Sequence, residues 1–334
     1  MKGLFANQAP IIPLFQHSIL PTFHFSNLPI HLFFNMISIL IPNYGQNIKK
    51  LIEDLLFQAK LVSFPVEIWI GDDASKEHVY LVNKKLEEQP IVRFIRKESR
   101  IGRSAIRNLL AENAQYPNLL FLDSDAGIEN PGFLQNYFDQ LGKYKVIVGG
   151  TAYQNNPPEN SSELLRWKYG KEKEERPASV RTEKPYASFS SFNFFIEKEL
   201  FLKTRFNEGI TDYGHEDTFF GYQLKKKSIP VLHIDNQLIH LGLDNAGYFL
   251  EKTRKGVEGL WNMYEKTGFD PEFSSDNSLL NKFEDLRKFK MQGILKWKFG
   301  LLKKQLERNL LGEHPSVILF QFYKLGYLCS FAEK

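Results

Sequence analysis

The chain is poor in cysteine and in net charge, and both shortages exclude whole classes of protein. Its 334 residues include one cysteine, Cys329, so neither an intramolecular disulfide nor a metal site built on paired cysteines can form. A reducing compartment fits best, and we predict a cytoplasmic protein. The 43 lysines and arginines nearly balance 39 acidic residues, which leaves a net charge of +4. This balance excludes an obligate polybasic nucleic-acid binder, so no nucleic-acid partner is predicted.

Long apolar runs are also missing. No stretch approaches the ~18 apolar residues of a membrane-spanning helix. The apolar N-terminal region is interrupted by four prolines within residues 10–29, whereas a signal peptide needs an unbroken apolar core of ~7–15 residues. We predict that residues 1–35 are an irregular or disordered tail, or that they precede the true start at Met36. A weak membrane-surface anchor is the alternative.

From Met36 onward, short apolar runs alternate with amphipathic segments in which apolar residues recur at helical spacing. The runs have the length and the β-branched or aromatic content of strands. They are Ile37–Ile41, Val66–Ile70, Ile91–Ile95, Leu119–Leu122 and Val146–Val148. This alternation predicts an α/β fold with a Rossmann-like, mostly parallel sheet flanked by helices. Because ligands of such sheets bind beyond the carboxyl ends of the strands, the residues after each run are candidates for a site.

Polar or acidic clusters follow three of these runs. The clusters are Pro42-Asn43-Tyr44, Gly71-Asp72-Asp73-Ala74-Ser75 and Asp123-Ser124-Asp125-Ala126-Gly127. An acidic residue after a strand often only caps a helix or forms a turn, and for Asp73 this alternative stays open. Asp123 and Asp125 are two residues apart, and paired carboxylates favour a cation or a proton between them. The third cluster is therefore the stronger candidate for a site.

Two arginines lie between these clusters, in the segment Gly102–Asn108. Arg103 and Arg107 are four residues apart and would share one helix face, which is unfavourable unless an anion or a carboxylate lies between them. The helix N-terminus behind Gly102 adds its own preference for anions. The alternative is a salt bridge to acidic residues at the edge of the core.

An acidic pair, Glu216 and Asp217, opens a predicted helix that runs to Leu224. The pair either complements the helix dipole or supplies a general base at the rim of a pocket. Further along, His233 and His240 lie in a strand-like stretch, and their spacing of seven would place them on opposite faces of one regular strand. A histidine in such a position is more often structural than a ligand.

The stretch Gln154–Pro185 differs from its surroundings, because it combines four prolines with a dense series of lysines and glutamates. It is predicted to be a long excursion from the sheet, either a mobile loop or a short helix with flanks. Long excursions in compact domains are usually functional or disordered. We expect an acceptor to meet this segment.

Taken in order, these motifs resemble those of a family-2 glycosyltransferase with the GT-A fold. The resemblance runs from about Ile37 to Leu243. It rests on the Ile-Pro-Asn-Tyr start, the Gly-Asp-Asp-Ala-Ser turn, the Gly-x-x-x-x-Arg-Asn helix, the Leu-Asp-Ser-Asp strand end and the Tyr-Gly-His-Glu-Asp segment. It implies a nucleotide-diphospho-sugar donor, a UDP-sugar being favoured, and a divalent metal, Mn²⁺ or Mg²⁺. It also implies transfer with inversion to a saccharide or lipid-linked acceptor, in polysaccharide or glycoconjugate synthesis.

The resemblance also implies roles for individual residues. The donor-binding residues would be Pro42, Tyr44, Asp72, Asp73, Arg103, Arg107 and Asp123. Asp125 and His240 would bind the metal. Asp217 would be the catalytic base, and Glu216 would contact the acceptor or the donor sugar. His215 stands where this motif often has a glycine, so a narrower acceptor site is expected.

Two other enzyme classes and one non-enzyme class compete with this interpretation. A haloacid-dehalogenase-like phosphatase also places Asp-x-Asp after an apolar strand. It does so on its first strand, however, and with Thr or Val where this chain has Gly127. A Rossmann dehydrogenase is disfavoured because no Gly-x-Gly-x-x-Gly follows a strand. A glycan-binding or scaffold protein on an inactive GT-A fold is the non-enzyme alternative.

The C-terminal part is predicted to be helical and basic, and we divide the chain into a catalytic domain at 36–245 and a helical extension at 246–334. From Met291 onward, apolar residues at helical spacing form one stripe, with basic residues among or opposite them. The apolar residues are Ile294, Leu295, Phe299, Leu302, Leu306 and Leu310, and the basic ones are Lys296, Lys298, Lys303, Lys304 and Arg308. Either this helix packs on the catalytic domain, or it is a basic amphipathic helix in peripheral contact with the inner face of the cell membrane.

Overall fold

A central sheet of seven strands organises the molecule, which was analysed as a computed structural model that describes residues 35–210 and 214–332. The strand order is β3-β2-β1-β4-β8-β6-β9. Strand β1 pairs in parallel with β2 and β4, and β2 with β3, whereas β8 runs antiparallel to β4 and β6. The strands of this sheet are β1 Ile37–Asn43, β2 Val66–Asp73, β3 Val92–Lys97, β4 Asn118–Leu122, β6 Val146–Val148, β8 Asn193–Glu197 and β9 Leu232–His233. The predicted mostly parallel sheet is confirmed.

A second sheet of three short strands lies beside the first, in the order β5-β10-β7. Its strands are β5 Ala126–Gly127, β7 Thr151–Ala152 and β10 Leu238–His240. Thirteen α-helices are described in the same ranges of the chain. They are α1 Lys49–Ala59, α2 Glu77–Lys84, α3 Arg103–Asn113, α4 Phe133–Phe138, α5 Leu164–Tyr169, α6 Ala178–Thr182, α7 Lys198–Thr204, α8 Glu216–Lys226, α9 Ala246–Lys266, α10 Pro271–Asp276, α11 Ser278–Lys288, α12 Gln292–Leu310 and α13 Val317–Phe331.

The large sheet is covered by apolar layers on both faces, and β1 shows how the sequence produces them. Successive side chains of a strand point to opposite faces. Ile39 and Ile41 therefore enter the layer that contains α1, while Leu40 enters the opposite layer that contains α3. All three are fully buried. A strand buried on both faces needs a continuous apolar run, which is the pattern that the sequence has here.

The excursion Gln154–Pro185 is ordered as short helical turns, so the second of its two predicted alternatives is the one observed. Helices α5 and α6 lie within it, together with a 3₁₀ turn and a π-helical turn, Ser161–Glu163 and Gly170–Glu174. Arg181 of α6 is buried and donates hydrogen bonds to the carbonyls of Val148, Gly149 and Ile234. These bonds fix the end of the excursion to the edge of the large sheet.

The expectation that His233 and His240 share one regular strand is wrong. His233 ends β9 in the large sheet, whereas His240 ends β10 in the small sheet. The chain changes sheets between them because Asn236 is held by hydrogen bonds, its N–H donating to Gly149 and its side chain to the carbonyl of Phe133. His233 is buried, and its Nδ1 lies 2.8 Å from Arg181 Nη1, so it has the structural role considered from the sequence.

After residue 245 the chain is helical, and helices α9 to α13 pack around two further apolar clusters. Phe299, Leu306 and Leu310 of α12 are buried against α13. Half of the predicted apolar stripe is thus a packing face, whereas Ile294 and Leu302 are exposed. The helix packs against α13, which belongs to the predicted extension, and membrane contact stays a prediction. Within 35–210 and 214–332, no helix has both the length and the apolar composition needed to cross a bilayer. The predicted tail lies outside the described residues up to position 34.

We expect Leu310→Ala to lower the free energy of unfolding by about 2–5 kcal/mol, because deleting a fully buried leucine side chain leaves a cavity. Leu301→Ala on the exposed face of the same helix is the matched control and should change it by less than about 0.5 kcal/mol. Urea titration followed by circular dichroism measures both. Equal effects of the two variants would contradict the orientation of α12.

Candidate active site

The site begins where β1 and β2 end side by side. Their last residues pair in parallel register, Pro42 with Gly71 and Asn43 with Asp72. Parallel strands bring their carboxyl ends to one edge of the sheet, so the loops after both strands meet there. The N–H of Gly45 donates to the hydroxyl of Ser75 at 2.8 Å and ties these two loops together. The first two predicted clusters are therefore neighbours in space.

Tyr44 presents an aromatic ring at this edge, and Arg100 lies on it. The guanidinium carbon of Arg100 is 3.8 Å from the ring centroid, and its Nε is 3.8 Å from the carboxylate of Asp73. A cation held over an aromatic face is a favourable contact. Arg100 was not among the predicted site residues, although it follows the end of β3. Applying the rule about strand ends to that strand as well would have found it.

Asp72 and Asp73 are buried and hold the loops of this edge in place. The carboxylate of Asp73 accepts the backbone N–H groups of Ile101 and Gly102 at 2.7 and 3.0 Å. Gly102 has a left-handed backbone, with φ of +91°, directly before α3. Asp72 accepts the N–H of Ser75 at 3.2 Å. Both carboxylates thus accept backbone N–H groups of turns, as the turn-forming alternative predicts. Their contact with a nucleotide stays a prediction.

Arg107 connects two acids that are far apart in sequence. Its side chain is only 3% exposed. Nη2 lies 2.5 Å from Oδ1 of Asp123, and Nη1 lies 3.6 Å from Oε1 of Glu216. Arg103 Nη1 is 3.7 Å from the same oxygen of Glu216. The two arginines share a helix face and have carboxylates beside them, so the salt-bridge alternative is correct. The carboxylates belong to Asp123 and Glu216, which are themselves predicted site residues.

The neighbouring Asn108 holds the chain that leads into α8. Its side-chain amide donates to the carbonyl of Phe206 at 2.9 Å, and its side-chain oxygen accepts the N–H of the same residue at 3.0 Å. The amide also donates to Glu208 at 2.8 Å. Asn108 thus fixes the segment at Phe206 and Glu208, which precedes α8 in the chain. In the Arg-Asn pair, Arg107 therefore contacts the carboxylates and Asn108 contacts the backbone. The motif alone did not indicate these separate roles.

Helix α8 begins with a sharp turn that places Glu216 and Asp217 in its first turn. Gly214 and His215 before it both have positive φ, +83° and +69°. A left-handed backbone favours glycine, which is a physical reason for a glycine at position 215. His215 adopts this left-handed backbone, and its Nδ1 lies 3.1 Å from the hydroxyl of Thr218. Burial lowers the pKa of His215 to about 4, so it is neutral at pH 7.

Asp217 has the protonation behaviour of a general base. Burial, and next the negative charge of Glu216, raise its pKa to about 6. The N–H of Thr218, which donates to Oδ1 of Asp217 at 2.8 Å, and the charge of Arg107 act in the opposite direction. Asp123 adds a further negative charge nearby. A carboxylate with a pKa near 6 is ionised at neutral pH yet accepts a proton readily.

Asp125 and His240 form a second pair, which the small sheet assembles. In that sheet His240 of β10 pairs with Ala126 of β5, the residue after Asp125. His240 Nε2 then lies 3.5 Å from Oδ2 of Asp125. Gly242 passes so close that a side-chain carbon there would lie 2.3 Å from Oδ2 of Asp125. Burial raises the pKa of Asp125 and lowers that of His240.

A layer of buried side chains supports His240 from behind. Its ring packs between Tyr153 and Phe192, with centroid distances of 5.5 and 5.4 Å. The hydroxyl of Tyr153 donates to Glu174, which also accepts a hydrogen bond from Arg166 at 3.0 Å. Glu174 and Arg166 belong to the excursion, which therefore forms one wall of the site. Sequence reasoning missed Tyr153, Glu174 and Arg166. Glu174 and Arg166 follow no strand end, and Tyr153 follows β7, which was not among the predicted strands.

Within the described residues, the predicted site residues thus form three groups. Tyr44 and the acids of β2 lie at one edge, Asp123 is joined through Arg107 to Glu216, and Asp125 faces His240. No cluster of three or more His, Cys, Asp or Glu side chains in 35–210 or 214–332 is arranged to hold a metal. Asp125 and His240 bring a carboxylate oxygen and an imidazole nitrogen within 3.5 Å of each other.

Residues 38–202 match the family model described as Glycosyl transferase family 2. The chain carries a family-2 glycosyltransferase domain. Chondroitin synthases of Escherichia coli and Pasteurella multocida are 26% and 24% identical to it over 57% and 61% of this chain. These matches cover 32% and 24% of the relatives, so the chain spans about a third or less of their length.

A solved mannosyltransferase of Pyrobaculum calidifontis, in complex with GDP-Man and Mn²⁺, is similar in fold to most of the chain. The TM-score is 0.54 at 12% identity, and the similarity covers 89% of this chain and 86% of that one. At this identity the similarity concerns the fold alone. The predicted GT-A fold of the family-2 domain, with its helical C-terminal region, is confirmed.

Arg107→Met should lower the free energy of unfolding by about 1–3 kcal/mol, because it leaves the carboxylates of Asp123 and Glu216 without their shared cation. Arg103→Met, on the same helix face with a half-exposed side chain, is the matched control and should cost less than about 1 kcal/mol. Urea titration at neutral pH compares the two. A larger loss in the Arg103 variant would show that Arg107 is not the main link.

Proposed function

We propose that this protein transfers a hexose from a nucleotide-diphospho-sugar to a hydroxyl of a saccharide or lipid-linked acceptor, with inversion at the anomeric carbon. The observation that carries the proposal is the buried bridge through Arg107, which joins Asp123 after β4 to Glu216 beside Asp217. The family-2 domain and the two polysaccharide synthases among its relatives support it. Synthesis of a polysaccharide or glycoconjugate in the cytoplasm is the proposed setting.

The donor is proposed to lie along the edge where β1, β2 and β4 end. The ring of Tyr44, covered by Arg100, offers a flat surface for a nucleobase, and the buried Asp73 lies next to it. Arg103 at the start of α3 is half exposed and suits a diphosphate, since a helix N-terminus and a guanidinium both favour anions. Asp123 is proposed to contact the ribose or the donor sugar. A UDP-sugar is the favoured donor.

The guanidinium of Arg107 also has N–H groups that could bind an anion. Its Nε and Nη1 have no hydrogen-bond partner within 35–210 and 214–332, although the side chain is buried. An arginine whose N–H groups are buried without partners is costly. A negatively charged donor group beside Asp123 would supply such a partner, which supports the proposed position of the donor.

A divalent metal, Mn²⁺ or Mg²⁺, fits the pair Asp125 and His240. A carboxylate oxygen and an imidazole nitrogen are suitable ligands for Mn²⁺. His240 Nε2 faces Oδ2 of Asp125 at 3.5 Å, a separation that would let both atoms contact one metal ion. Two protein ligands leave the remaining positions to the donor diphosphate and water. When bound, such a metal would stabilise negative charge on the leaving diphosphate.

Asp217 is proposed to act as the base of a single displacement. Its carboxylate would remove the proton from the acceptor hydroxyl as that oxygen attacks the anomeric carbon on the face opposite the diphosphate. Inversion needs one base and no covalent intermediate on the enzyme, and Asp217, whose pKa is raised and which lies beside Glu216, suits that role. Glu216, held by Arg107, would position the acceptor or the donor sugar.

Asp217→Asn is expected to reduce kcat by about 10²–10⁴-fold while leaving donor affinity near that of the wild type, because the amide cannot take the acceptor proton. Nucleoside diphosphate release measures the first effect, and calorimetric titration of donor with Mn²⁺ measures the second. The variant should unfold at no lower temperature than wild type at neutral pH, since ionised Asp217 beside Glu216 is unfavourable. Glu199→Gln, which changes an exposed side chain of α7, is the matched control. Normal turnover by Asp217→Asn would exclude Asp217 as the base.

The rate of transfer is expected to depend on pH through Asp217. The base acts as a carboxylate, and its pKa is raised to about 6, so activity should be high at pH 7 and fall as the pH drops through 6. The measurement is kcat/KM as a function of pH at saturating Mn²⁺. A lower limb that stays near the ordinary carboxyl pKa of about 4 would contradict the raised value.

A further inference from the structure

Helix α12 carries a second apolar surface, distinct from the stripe that packs against α13. We call it the α12 outer face and define it as Phe289, Met291, Ile294, Trp297 and Leu301. All five side chains are exposed, with Phe289 at 75% and Trp297 at 63%. Large apolar side chains grouped on a surface mark a site of interaction more often than scattered ones do.

The α12 outer face follows from the helical repeat. Ile294, Trp297 and Leu301 are spaced by three and four residues, so they form one stripe along the helix. Phe299 and Leu306 point to the opposite side, where they are buried. Phe289 lies at the corner between α11 and α12, where its N–H donates to the carbonyl of Asp285 and the following residue has positive φ. The helix therefore uses one side for the core and leaves the other in solvent.

Basic residues predominate around the α12 outer face. Arg287 and Lys288 pair with Glu284 and Asp285 of α11 at 2.9 and 3.2 Å. From Lys290 to Leu311 the chain has six basic residues and one acid, Glu307. That acid accepts a hydrogen bond from the hydroxyl of Tyr323 at 2.9 Å and lies 3.7 Å from Arg254, so its charge is already compensated. Three exposed basic side chains have no carboxylate within ion-pair distance in 35–210 or 214–332: they are Lys298, Lys304 and Arg308.

We propose that the α12 outer face docks on the surface of an anionic membrane. Its apolar side chains would enter the headgroup region, and the surrounding lysines and Arg308 would contact lipid phosphates. A tryptophan flanked by lysines suits this region, because its ring is apolar and its N–H is polar. A stripe one helix wide is narrow for a stable protein interface, which buries ~800 Å² per partner. Of the stripe predicted from the sequence, Ile294 belongs to this face, whereas Phe299, Leu306 and Leu310 are buried.

Sedimentation of the full chain with vesicles tests the proposal. We expect binding to vesicles of equimolar phosphatidylcholine and phosphatidylglycerol, little binding to phosphatidylcholine alone, and weaker binding at high salt. The fluorescence of Trp297 should shift to shorter wavelength on the anionic vesicles, and Trp297→Phe should remove that shift. Nucleotide release without lipid is independent of this contact, so each proposal can fail alone.

Two double variants identify the residues responsible. Trp297→Ser with Leu301→Ser, and separately Lys298→Glu with Lys304→Glu, should each weaken vesicle binding by at least about ten-fold. Phe57→Ser with Leu61→Ser is the matched control, because these side chains are equally exposed but lie at the end of α1. Equal binding to neutral vesicles, unchanged binding by either test variant, or no binding at all would overturn the proposal. So would lipid-free dimerisation that depends on Trp297, since the face would then pair two copies of the chain.

Discussion

The buried guanidinium of Arg107 is the interaction on which the arrangement of the site depends. One end of it holds Asp123, which follows β4, and the other faces Glu216 in the first turn of α8. These two acids are 93 residues apart, and no strand pair joins the segments that carry them. Asn108, one position further along α3, fixes the backbone that leads into α8. A single turn of α3 thus supplies both the cation that lies between the two acids and a contact to the backbone of Phe206, which precedes α8 in the chain.

A second constraint is the division of the strands between two sheets. The large sheet aligns the ends of β1, β2 and β4, while the small sheet brings His240 next to Asp125. The excursion packs behind His240 through Tyr153 and Glu174, so it contributes to the site as a fixed wall. Acids and bases that lie close in a buried setting shift one another's pKa, as Asp217 illustrates. The near-neutral net charge of the chain conceals this concentration of charge.

Periodicity predicted the strands and helices well, because β1, β2 and β4 are buried on both faces and their apolar runs are continuous. The strand-end rule also selected Tyr44, Asp73, Asp123 and Asp125, which end or follow strands of the large sheet, and their roles in a site stay predictions. It failed for contacts that depend on packing between distant segments. Nothing local marks Glu174 as the partner of Tyr153, and the separation of His233 from His240 depends on hydrogen bonds of Asn236 to other elements. The outer and inner faces of α12 could not be assigned either, because both are apolar.

The most direct test of this account is release of nucleoside diphosphate from a panel of nucleotide sugars by the full chain with Mn²⁺, with saccharide acceptors present. The account predicts release from one donor class, stimulated by acceptor and abolished by a chelator. The product should have the anomeric configuration opposite to that of the donor, as read from its proton spectrum. Retention of configuration would contradict the single displacement at Asp217. Turnover of phosphate monoesters with no turnover of any nucleotide sugar would contradict the transferase itself.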